Sequence, residues 1–84
     1  MDLVRNFDVR AVAKQLKHDT EGEYLRELLE EIDGKREQME DLMNLTTDID
    51  RGLKIRAMID GLDSVSAMVR SLWAHTHGRL PEGV

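Results

Sequence analysis

Apolar residues recur along most of this chain at alternating steps of four and three, the period of a helix with one buried stripe. From Leu25 the stripe runs through Leu29, Ile32, Arg36, Met39 and Met43, with Leu28 and Leu42 widening it. A second stripe of the same rhythm runs through Ile55, Ile59, Leu62, Ser66, Val69 and Trp73, with Met58, Val65, Met68 and Leu72 on its flank. The stretch from Leu45 to Arg51 separates the two, and Thr46 and Thr47 interrupt the charge pattern there. A short connection between two helices of matching period makes them antiparallel neighbours. The pattern therefore predicts an all-α chain built on an antiparallel helical hairpin of two long helices, near 21 to 44 and 48 to 77, preceded by a short N-terminal helix.

That short helix is predicted from Val9 to about Lys17, with Asp8 as N-cap and Val9, Val12, Ala13 and Leu16 on one face. So few residues are not helical alone, so it must dock on the hairpin or on a second chain. Residues 1 to 7 mix Leu3, Val4 and Phe7 with charges and suggest a frayed start. Thr20 and Glu23 fit a capping box for the first long helix. Either Thr46 or Thr47 can cap the second, with Asp48 and Asp50 at its dipole-positive end. Gly78 is placed for a C′ cap, Pro81 prevents resumption, and the tail from Leu80 to Val84 is expected to be loose. Arg36, the one charged residue of the first seam, is expected to pack its stem and extend its head to water. Gly34 is either a tolerated defect or a point of close backbone approach. The same choice holds for Gly52 and Gly61.

Composition narrows the function classes. Eighty-four residues allow one small domain, residues 1 to 84, near the size where chains lean on partners. The absence of cysteine excludes disulfides and thiolate metal sites, and no stretch resembles a signal sequence or a membrane span, so a cytoplasmic protein is the default expectation. The net charge is −5, and residues 21 to 44 hold nine acids against three bases, which argues against nucleic acid as a partner.

Candidate chemistry is sparse. His75 and His77 stand about 200° apart on a helix and do not face one metal ion. Ser64, Ser66 and Ser71 lack a glycine-rich elbow, and His18 stands alone. The pairs Glu27 and Glu30, and Asp60 and Asp63, look like the acidic motifs with which all-α nucleoside triphosphate pyrophosphatases hold Mg²⁺, but the second motif of that family normally begins with Glu. The expectation is a non-enzyme without cofactor or metal. Four methionines, Met39, Met43, Met58 and Met68, lie on or beside the stripes and either fill core gaps or form an adaptable surface.

The run from Tyr24-Leu25-Arg26 to Leu72-Trp73 carries Leu25, Leu28, Leu29 and Ile32, then Lys35-Arg36-Glu37, then Leu53 to Ala57, Leu62, Val69, Leu72 and Trp73. In these features it resembles the small E-component co-chaperones of bacterial type III secretion systems. The resemblance implies an antiparallel hairpin that pairs with a helical-repeat chaperone and holds the needle subunit in the cytoplasm. A self-associating hairpin adaptor needs no such family. In either case the second long helix is the expected presenter, through Ile55, Met58, Ile59, Leu62, Val65, Met68, Val69, Leu72 and Trp73. Trp73 can instead close the hairpin core against Leu25.

Overall fold

A computed structural model describes residues 8 to 84; the expectation for residues 1 to 7 lies outside them. The described chain is helical throughout its ordered elements, α1 (Val9–His18), α2 (Glu23–Leu45) and α3 (Ile49–His77), and contains no strand. The helices α2 and α3 form the hairpin. At 1.5 Å per residue α3 is about 43 Å long, which matches the 44 Å longest dimension of the molecule.

The reversal between α2 and α3 takes three residues. Thr46 closes α2: its amide donates to the Met43 carbonyl (3.2 Å) and its hydroxyl donates to the Leu42 carbonyl (2.6 Å). Asp48, rather than either threonine, caps α3, accepting from the Asp50 amide at 3.0 Å. A carboxylate suits that position because it adds charge to the capping hydrogen bond at the positive end of the dipole.

The capping box at Thr20 does not form. Gly22 is the N-cap of α2 and sits in the left-handed region, φ +79°, with no side chain to offer. Asp19 supplies the cap from further back, its two carboxylate oxygens accepting from the amides of Tyr24 (3.2 Å) and Leu25 (3.0 Å). The physical reason is that the left-handed backbone at Gly22 delays the start of α2 to Glu23, so Thr20 does not stand at the N-cap position. A Cβ on Gly22 would stand 2.6 Å from Pro81 Cβ and 2.7 Å from Pro81 Cγ, so the chain enters α2 beneath a buried proline.

That contact also overturns the expectation of a loose tail. Gly78 ends α3 in the left-handed region, its amide donating to the Ala74 carbonyl at 2.7 Å. The chain then folds back, Pro81 covers Gly22, Arg26 donates to the Glu82 carbonyl at 2.6 Å, and Val84 packs against the core.

The core is a single cluster at one end of the hairpin. Val12 and Leu16 of α1 meet Leu25, Leu28 and Ile32 of α2 and Leu62, Val69 and Trp73 of α3. The short helix therefore docks on the hairpin, as its length requires, with Asp8 capping it through the amides of Arg10 and Ala11. Nearer the loop, Ile55 and Ile59 are buried between the two long helices, outside the α1 cluster. Arg36 lies in the seam but does more than extend to water. Its Nε donates to Asp63 Oδ1 at 2.7 Å across the hairpin, and it also pairs with Glu40 one turn on.

Candidate protein-interaction surface

Burial separates the nine residues expected to meet a partner. Ile55, Ile59, Leu62, Val69 and Trp73 are buried within the hairpin, so they close the fold of the free chain instead of facing outward. The alternating seam of a hairpin is taken first by the neighbouring helix of the same chain, whose effective concentration no separate partner matches. Val65, Met68 and Leu72 are half-buried, and only Met58 is exposed.

Trp73 shows the first use most clearly. It is fully buried in the cluster that contains Leu25, and its indole N–H donates to the Asp19 carbonyl at 2.9 Å. His77 lies against it with ring centroids 4.1 Å apart, and a His77 Nε2 hydrogen bond reaches the Leu16 carbonyl at 2.8 Å. Residues at the end of α3 thus bond two carbonyls at the end of α1, adding a second partner to Leu16, whose carbonyl also accepts from the Asp19 amide.

The exposed apolar surface lies mainly at the opposite end. Leu42, Leu45, Ile49, Leu53 and Met58 are 48, 81, 79, 64 and 56% exposed. These are large side chains on two neighbouring helices near one loop, a concentrated apolar patch rather than scattered surface residues. Leu45, Ile49 and Leu53 escaped the periodicity because they stand off the stripes. Their signal was that they are apolar next to a reversal where polar residues are the rule.

Charge is segregated around that end. Residues 37 to 50 contain five acids and no base, whereas residues 51 to 59 contain Arg51, Lys54 and Arg56 and no acid. Arg56 is paired with Asp60 at 3.6 Å.

The two sides of the hairpin differ. One carries an open groove of about 700 Å³ lined by Arg26, Leu29, Asp33, Arg36, Asp63 and Arg70, among others. The Arg36–Asp63 pair crosses it, and the Asp63 hydrogen bond holds the Arg36 guanidinium above its ordinary pKa. Glu30 and Asp63 of the acidic pairs both line this groove, but Asp63 is held by Arg36 and Asp60 by Arg56. Among the described residues no three His, Asp or Glu side chains come together to hold a metal ion. The other side carries α1. No helix among the described residues is long and apolar enough to cross a membrane. No family model matches the chain, and no curated protein or solved structure matches it significantly.

Proposed function

We propose that the chain is a protein-binding helical hairpin whose loop-end half docks on another polypeptide, and that it serves as a small cytoplasmic co-chaperone. The observation that carries this reading is the exposed set Leu42, Leu45, Ile49, Leu53 and Met58 at the end of the hairpin that α1 does not cover. Covering side chains of that size contributes about 1.5–3 kcal/mol each when burial is complete, enough for several of them to hold a partner after the cost of association. The helical form of the surface suits a helical partner, which can lay its own apolar stripe along α2 and α3.

The likeness of the run from Tyr24 to Trp73 to type III secretion E-components supports a particular partner: a helical-repeat chaperone, with the needle subunit as the shared cargo. Self-association is the second reading, favoured by the same exposed side chains, since a hairpin that pairs with its copy makes a four-helix bundle. The test is the mass of the complex by light scattering, for wild type and Leu53→Asp, with and without candidate helical-repeat chaperones. Leu53 is exposed, so the substitution leaves the fold intact. A 1:1 complex lost in the variant supports the co-chaperone. A dimer lost in the variant supports self-association, and a strict monomer that binds none of them contradicts both.

A further inference from the structure

We draw no further inference here: the strongest candidate, the apolar face around Leu42 and Met58 that continues the seat of α1 toward the loop, is rimmed by charges of both signs, Lys35 and Lys54 beside Glu31 and Asp50, and nothing in the structure shows what covers it.

Discussion

The indole N–H of Trp73 donates to the backbone carbonyl of Asp19 at 2.9 Å, joining the end of α3 to the link between α1 and α2. Asp19 also ends α1, through its amide to the Leu16 carbonyl, and caps α2 with its carboxylate. One residue thus fixes the relative placement of all three helices. Asp19→Ala removes the two capping hydrogen bonds and leaves the carbonyl in place. It should cost about 0.5–2 kcal/mol, the range for losing a side chain that caps a helix N-terminus, in urea unfolding followed by circular dichroism. Trp73→Phe removes the indole donor and leaves the Asp19 carbonyl without this partner, and should cost at least as much.

Gly22 and Pro81 should prove coupled. A side chain at Gly22 meets both a left-handed backbone and the proline ring, so Gly22→Ala should destabilise by more than the roughly 1–2 kcal/mol of the backbone term alone. In a double-mutant cycle with Pro81→Gly, part of that loss should disappear, because the ring contact is gone and the backbone term remains. Additive losses in the same unfolding assay would show that the tail does not press on this turn.

The helices and their pairing were legible in the sequence because burial imposes a period, and Leu25, Ile32, Ile55, Ile59, Leu62, Val69 and Trp73 all fall on it. The Asp8 and Gly78 caps were legible for the same local reason: each acts on its own helix end. The Asp19 cap and the docked tail were not. The cap reaches across the left-handed turn at Gly22 instead of following the usual N-cap spacing, and the tail depends on Pro81 meeting Gly22, a contact between distant parts of the chain that no local spacing records. The exposed apolar patch was half legible. Met58 and Leu42 stood out as flank residues, but the seam beside them could be assigned to a partner or to the chain itself until the packing of Trp73 was known.

Gly34 illustrates the opposite case, a residue whose neighbours impose nothing. A Cβ added there meets no atom within 4 Å, so it is a tolerated helix defect rather than a contact point. Gly34→Ala should stabilise the protein by about 0.5–1 kcal/mol through helix propensity and reduced unfolded-state entropy, seen as a higher urea midpoint at unchanged slope.

Tyr24 is the only tyrosine, so its phenolate absorbance reports one site. Burial, then the charges of Glu31 and Asp19, raise its pKa above the ordinary tyrosine value. A group raised in the folded state contributes stability that is fully present below the unfolded pKa, about 10, and is lost as pH rises through the folded value. Alkaline titration should therefore show Tyr24 ionising later in the folded chain than in urea, with stability falling across that interval. Glu31→Gln should move the folded value back down.

Amide hydrogen exchange with and without a helical-repeat chaperone tests the docking surface most directly, because it reads each part of the hairpin separately. In the free chain, the loop-end halves of α2 and α3, which lie outside the α1 cluster, should exchange faster than the halves that α1 covers. On complex formation the gain in protection should concentrate between Met39 and Met58. A gain confined to α1 and the Trp73 end, or a complex that leaves the loop end as fast as before, would contradict the claim that this surface is where the protein binds.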